Sequence, residues 1–274
     1  MAMIQPPDMK APERILLYGV AGTGKSTAVL SIAKATGANV TVVDTERAHD
    51  RLLETEWQGL NNVTVKDVRF DAMVNETTNW EEMIGTVRNT VKTMKPGDWL
   101  VIDSITPTWD DVQAWFTQKL WGDDLADYMM AARMQAQDSG KKGGSAFEGF
   151  TDWPVINKTY NTLYNLILNA PGHVLLTAET AALIDEGSEV QVLFGAHGVK
   201  PKGQKRLPHI PHTVLLTGRK RTGEWTLSTV KDRGRDTLSG KVVDDFAKDY
   251  LGGMCGWKQE AAFRARTASD GSGS

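Results

Sequence analysis

RILLYGVAGTGKSTAVLSIAK, residues 14–34, reads as a strand, a glycine loop and a helix in direct succession. Ile15, Leu16, Leu17 and Tyr18 form the short apolar run of a buried strand, residues 19–27 contain G-x-x-x-x-G-K-S, and an apolar helical pattern follows over residues 28–35. Glycines at 19, 22 and 24 let the backbone turn tightly, so that its N–H groups and the positive end of the following helix converge on one anion. The spacing implies a nucleoside triphosphate with Mg²⁺, held by Gly19, Val20, Ala21, Gly22, Thr23, Gly24, Lys25, Ser26 and Thr27. Lys25 is expected on the β- and γ-phosphates and the Ser26 hydroxyl on the metal.

Outward from this loop the chain keeps a βαβ rhythm, which predicts an α/β fold with a mostly parallel wound sheet. Residues 39–43 form a β-branched strand ending in Asp44-Thr45-Glu46-Arg47, and residues 63–68 a further short strand. Residues 80–95 have helical spacing and stop at Pro96-Gly97-Asp98. Residues 99–104, WLVIDS, give four apolar positions ending in an acid, and in a P-loop fold Asp103 is then the second magnesium residue. Helices are predicted over 108–121 and 153–169, the latter capped by Asp152, and a buried strand over 173–179. Residues 180–211 carry only weak patterning. Two strands, 212–217 and 224–231, should close the sheet as an antiparallel hairpin, followed by a short helix over 244–251. The expected organisation is an arm over residues 1–13, one core over 14–251 and a flexible tail over 252–274.

A 274-residue chain can bury one large core, and 41% hydrophobic with 24% charged residues is ordinary for a globular protein. The net charge of −3 excludes a globally basic nucleic-acid binder, so any such activity has to come from a local patch. A single cysteine, Cys255, rules out an internal disulfide framework, no apolar run reaches membrane-span length, and the first 14 residues lack a signal peptide's apolar stretch. A cytoplasmic protein without a membrane partner is expected.

Two constellations carry chemistry beyond the loop. Hydrolysis needs a group that orients water opposite the γ-phosphate, and Glu46, just past a strand's carboxyl end, is the candidate; Asp44, two residues deeper, is the rival. The second is electropositive: residues 198–235 hold ten Lys/Arg against two acids. Lys200, Lys202, Lys205 and Arg206 sit in a Gly/Pro-rich stretch suited to tracking a phosphate backbone, or form a solvated loop. Lys141 and Lys142 lie in a second glycine-rich loop tip. Lys231 and Arg233 end a strand on one face; they either contact a γ-phosphate, that of a neighbouring subunit, or close the hairpin as salt-bridged residues.

In order, YGVAGTGKST (18–27), VVDTER (42–47), WLVIDSITP (99–107), HVLLTAET (173–180) and TVKDRGR (229–235) resemble the RecA-like ATPase core, and within it the phage group of single-strand annealing ATPases of Sak-four type. The resemblance spans roughly residues 14–250. It implies Glu46 as the catalytic glutamate and Glu179 near the γ-phosphate-sensing position, where RecA-like chains carry an amide and where Thr177 or Glu179 substitutes here. It makes Lys231 and Arg233 similar to the lysine–arginine pair that ring ATPases use across a subunit interface. Residues 122–151 and 180–211, with Lys141, Lys142, Lys200, Lys202, Lys205 and Arg206, correspond to the two DNA-facing loops. A homo-oligomeric ring or filament that binds single-stranded DNA and hydrolyses ATP between subunits is implied, working in strand annealing or beside a recombinase or single-strand-binding protein. The competing readings are a small-molecule P-loop kinase, with the cations forming a lid, and a nucleotide-gated assembly protein with little turnover.

Overall fold

The computed structural model describes residues 4–5, 11–68, 77–122, 124–139, 147, 151–184, 187–235, 240–253, 255 and 257–259. In chain order its first half runs β1 (Ile4–Gln5), β2 (Arg14–Gly19), α1 (Lys25–Thr36), β3 (Val40–Asp44), α2 (Asp50–Glu54), β4 (Val63–Asp67), α3 (Thr77–Thr93), β5 (Trp99–Asp103), α4 (Thr108–Trp121) and α5 (Leu125–Asp138). Then follow α6 (Asp152–Asn169), β6 (His173–Ala178), β7 (Thr180–Ala182), α7 (Ser188–Phe194), β8 (Val199–Pro201), β9 (Thr213–Arg219), β10 (Trp225–Asp232), β11 (Lys241–Val242), a π-helical turn (Phe246–Gly252) and β12 (Lys258–Gln259).

The main sheet has eight strands in the order β11-β10-β9-β2-β6-β5-β3-β4. The six strands from β9 to β4 are parallel, and β10 and β11 add antiparallel pairs. This is a mixed α/β fold built on a mostly parallel sheet, with β6 lying between the loop strand β2 and the acid-ended strand β5. Alternation along β2 divides the core. Ile15 and Leu17 face α1, the π-helical turn, Trp99 and Trp257; Leu16 and Tyr18 face the layer that holds Trp80, Val87, Val112, Tyr160 and Ile167 of α3, α4 and α6. A strand covered on both faces has no polar position to spare, which is why residues 15–18 read as a continuous apolar run.

Parallel register brings the strands' carboxyl ends to one edge: Gly19 pairs with Thr217, Tyr18 with Ala178, and Asp44 with Asp103. That edge collects the candidate site.

Three expectations need correcting. Residues 180–184 and 187–211 carry structure where only weak patterning was read: β7 and β8 pair, Phe194 of α7 packs edge-on against Tyr18 at 6.1 Å, and Leu207 and Ile210 are buried. Asp152 does not cap α6 but opens it, with Thr151 in the cap position. Ile4–Gln5 and Lys258–Gln259, placed in an arm and a tail by the sequence, pair with each other.

Candidate functional site

The loop after β2 is shaped by what its glycines touch. A Cβ on Gly19 would lie 2.1 Å from Thr217 Oγ1, and one on Gly24 would lie 1.1 Å from the Trp225 ring, while Gly24 also has φ of 83°. Both positions therefore exclude any side chain. No side chain caps α1 at Gly24, which leaves the first-turn N–H groups for an anion. Lys25 Nζ donates to the carbonyls of Gly19 at 2.9 Å and Val20 at 3.1 Å, so its charge is oriented within the loop, with no carboxylate partner among the described residues. Thr23 turns inward, its hydroxyl donating to Val20 O at 2.7 Å and lying 2.8 Å from Thr217 Oγ1. It is the one residue of the predicted loop set that does not line the cavity.

That cavity, about 550 Å³, brings together Gly19, Val20, Ala21, Gly22, Gly24, Lys25, Ser26 and Thr27 with Glu46, Asp103, Glu179, Thr180 and Trp225. Ser26 Oγ donates to Asp103 Oδ2 at 2.8 Å, and the Thr177 hydroxyl donates to Asp103 Oδ1. A hydroxyl and a carboxylate are hard oxygen donors, the kind Mg²⁺ takes beside phosphate oxygens and water. Among the described residues no cluster of three His, Cys, Asp or Glu forms a metal cage.

Glu46 stands in the turn after β3. Its Oε1 accepts a hydrogen bond from Ser104 Oγ at 2.6 Å, and Thr45 Oγ1 and Ser104 exchange a further pair at 2.9 Å. The rival Asp44 is 1% exposed and accepts from the backbone N–H groups of Glu46, Ala48 and His49 and from the His49 ring. Burial works against its charge, but the bonds from His49 and Glu46 outweigh it and hold Asp44 below the usual carboxylate range. Asp44 is therefore fully engaged in shaping the turn, while Glu46 reaches the cavity.

Glu179, just past β6, lies between the cavity and the β7–β8 pair. Its Oε2 accepts from Lys202 Nζ at 2.9 Å, an exposed pair that raises the Lys202 pKa, and its N–H donates to Thr106 Oγ1. Lys202, expected among the DNA-binding cations, is thus paired with Glu179 while remaining half exposed. With Lys200, Lys205, Arg206, Trp109 and Trp153 it lines a second cleft of about 820 Å³. Trp109 and Trp153 stack at 6.1 Å and 15°, and Arg206 Nη1 donates to Asn161 Oδ1 at 3.1 Å. Lys141 and Lys142 lie outside the described residues.

Lys231 and Arg233 are not brought to the P-loop of their own chain. β10 runs antiparallel, so Trp225 sits at the carboxyl edge and Lys231, paired with Val214, near the opposite one. Lys231 Nζ donates to Pro208 O at 2.7 Å and Arg233 Nη2 to His209 O at 3.3 Å; burial, then the Arg233 charge, push the Lys231 pKa down to about 8. The salt-bridged hairpin end belongs instead to Arg235, which grips Glu13 and Asp232.

Sequence reasoning missed Ser104, His49 and Trp225. Ser104 had a signal, following the acid of an acid-ended strand; His49 and Trp225 had none, because only folding carries them to the site.

The profile of a family described as an AAA domain matches residues 11–121. No curated protein matches the sequence. Among solved structures, the chain is similar to the RadB recombinase, at 17% identity and a TM-score of 0.48 over 84% of this chain and 86% of that one. It is also similar to a KaiC-like protein from the hyperthermophilic archaeon Pyrococcus horikoshii OT3, at 15% identity and a TM-score of 0.45 over 86% and 92%. The stretch that resembles an AAA domain is the one that contains Lys25, Ser26, Glu46 and Asp103.

Proposed function

We propose that this protein hydrolyses ATP between subunits of a homo-oligomer and couples turnover to single-stranded DNA, in strand annealing or recombination mediation of the phage type, within a (host) cytoplasm. The observation that carries the reading is the convergence of Lys25, the Ser26–Asp103 pair and the Ser104-held Glu46 on one cavity. Lys25 and the first-turn N–H groups of α1 bind the phosphates and favour charge developing on the γ-phosphoryl oxygens. Mg²⁺, when bound, neutralises charge shared between the β- and γ-phosphates; Ser26 and Asp103 would hold it. Glu46, with one oxygen fixed by Ser104, presents the other to orient the attacking water and take up its proton. Lys231 and Arg233, remote from their own loop, act on the nucleotide of a neighbouring subunit.

DNA lies along the second cleft. Lys200, Lys205 and Arg206 supply charge for a phosphate backbone, and the tryptophan pair supplies aromatic surface for bases, a combination suited to single strands without strong sequence preference. Lys141 and Lys142, which lie outside the described residues, add charge to this contact with DNA.

The test is steady-state ATPase activity with and without single-stranded DNA, for the wild type, Lys25→Ala and Lys231→Ala/Arg233→Ala. DNA stimulation lost in both variants, and partly regained on mixing the two, supports a shared site. Indifference to DNA, with turnover only on adding a phosphate-accepting metabolite, favours a kinase. Nucleotide-dependent assembly without turnover favours a gated assembly protein.

A further inference from the structure

His49 has no part in the chemistry above, yet its ring is fully buried between two carboxylates of the site. Asp44 on β3 and Asp103 on β5 are register partners on adjacent strands, and the imidazole occupies the gap beyond them. Nδ1 lies 3.1 Å from Asp44 Oδ2, and Nε2 lies 3.5 Å from Asp103 Oδ2 with no hydrogen-bond partner of its own. The same Asp44 carboxylate accepts the Glu46 N–H at 2.9 Å and the His49 N–H at 3.2 Å. One continuous set of contacts therefore runs from the Glu46 turn through Asp44 and His49 to the face of Asp103 that also meets Ser26.

We infer that His49 is a positioning residue that sets the separation between Glu46, which orients water, and the Asp103 carboxylate, which faces the metal. A histidine serving only to fill the core would not need a carboxylate at each nitrogen, and an aliphatic side chain would fill the same volume without leaving a buried nitrogen unsatisfied. The 3.5 Å approach is too long for a strong bond, and a small movement of Asp103 toward the Ser26 side or the ring side would change it. The ring thereby limits where Asp103 can stand when Mg²⁺ and nucleotide enter. This inference rests on the reading of the cavity as an ATP and Mg²⁺ site.

Two substitutions separate the two ends of the ring. In His49→Asn the amide stands where Nδ1 was and keeps the Asp44 contact while losing Asp103; in His49→Gln the longer amide reaches toward Asp103 and gives up Asp44. Binding of a fluorescent ATP analogue is measured for folded protein in EDTA and in Mg²⁺, alongside kcat and KM. For His49→Asn we expect binding in EDTA within about twofold of wild type, a loss of roughly tenfold in the Mg²⁺-dependent gain, and a lower kcat at similar KM, because partners of a metal-facing group tune its affinity by about 10–100-fold. His49→Gln should recover most of the Mg²⁺-dependent gain. Wild-type behaviour of both variants, or equal weakening with and without Mg²⁺, would overturn the inference.

Should both variants fail to fold, the wild type supplies the answer. With ¹⁵N-histidine labelling, adding Mg²⁺ to the ADP complex should shift the His49 Nε2 signal more than its Nδ1 signal, and unmoved ring signals would overturn the inference. A wild type that shows no Mg²⁺-dependent nucleotide binding sinks the ATPase reading and the inference together; one that binds while His49 stays indifferent sinks only the inference.

Discussion

At the amino edge of the main sheet, Arg235 places its guanidinium on Glu13 at 2.8 and 3.0 Å and on Asp232 at 3.1 and 3.2 Å, and adds Thr213 at 3.0 Å. At the carboxyl edge, Asp103 is held by the hydroxyls of Ser26 and Thr177, Glu46 by the hydroxyl of Ser104, and Lys25 by two backbone carbonyls. Both edges orient charge, but at the first a guanidinium and carboxylates neutralise one another, whereas at the second the Lys25, Glu46 and Asp103 groups are held by hydroxyls and carbonyls. Hydroxyls and carbonyls fix a charged group in space and leave its charge available to a ligand, whereas a carboxylate–guanidinium pair consumes both. The amino edge is thereby a structural clasp, tying residue 13 to residue 235 across the chain, and the carboxyl edge keeps the charges that the proposed nucleotide site requires.

Arg235→Met attacks the clasp and carries the largest expected effect. Glu13 and Asp232 would lose the guanidinium that bridges them in a largely buried site, at a cost of about 3–5 kcal/mol in unfolding free energy by urea titration. Unchanged stability would show that the clasp contributes nothing. Glu46→Gln attacks the other edge: turnover should fall about 10²–10⁴-fold with ATP binding nearly intact, since the loss of a water-orienting base acts on chemistry rather than affinity. Hydrolysis that survives this change would reassign the base.

The amino edge also predicts a pH dependence. His173 accepts the Glu13 N–H through Nδ1 and stacks on Trp99 at 4.6 Å; burial, then the Arg14 charge, push its pKa from 6.5 down to about 4. The unfolded chain binds that proton more readily, so the histidine's contribution is complete above pH 6.5 and is lost as pH falls from 6.5 toward 4. About 3 kcal/mol of stability should disappear over that window, and His173→Asn, which keeps an acceptor for Glu13, should flatten the slope. An equally steep slope in the variant would place the pH response elsewhere.

Lys231 is the amino edge's exception, and it sharpens the comparison. It donates to a backbone carbonyl, as Lys25 does, and burial depresses its pKa to about 8, so below that pH the fold bears a charge it does not use. Lys231→Met should raise unfolding stability by up to about 1 kcal/mol at neutral pH, a gain that fades as pH rises from 8 toward 10.5, while ATP turnover falls. A variant that is less stable and fully active would make Lys231 a structural residue like Arg235.

Much of the fold was legible because it rests on runs of neighbouring residues. The apolar strand of residues 15–18, the period of α3 and the Pro107 and Gly122 limits of α4 are local patterns, and the structure follows them closely. The stretch over 180–184 and 187–211 was not legible. Its short helix and two three-residue strands are held by distant partners, Phe194 by Tyr18 and Lys202 by Glu179, so no periodicity announces them. Asp152 looked like a cap because caps are assigned from residue type, whereas the helix start was decided by where its buried face meets α3 and α4.

The sequence by itself determined a glycine loop between strand and helix, acids at strand ends and a final hairpin, since each is a property of contiguous residues and of backbone sterics. Tertiary structure alone decided which side chains meet. Strand order and register put His49 between Asp44 and Asp103, laid Trp225 against Gly24, and joined Glu13 to Arg235 across 222 positions. Such contacts form because strands paired side by side bring their ends to shared edges of the sheet, whatever their distance along the chain.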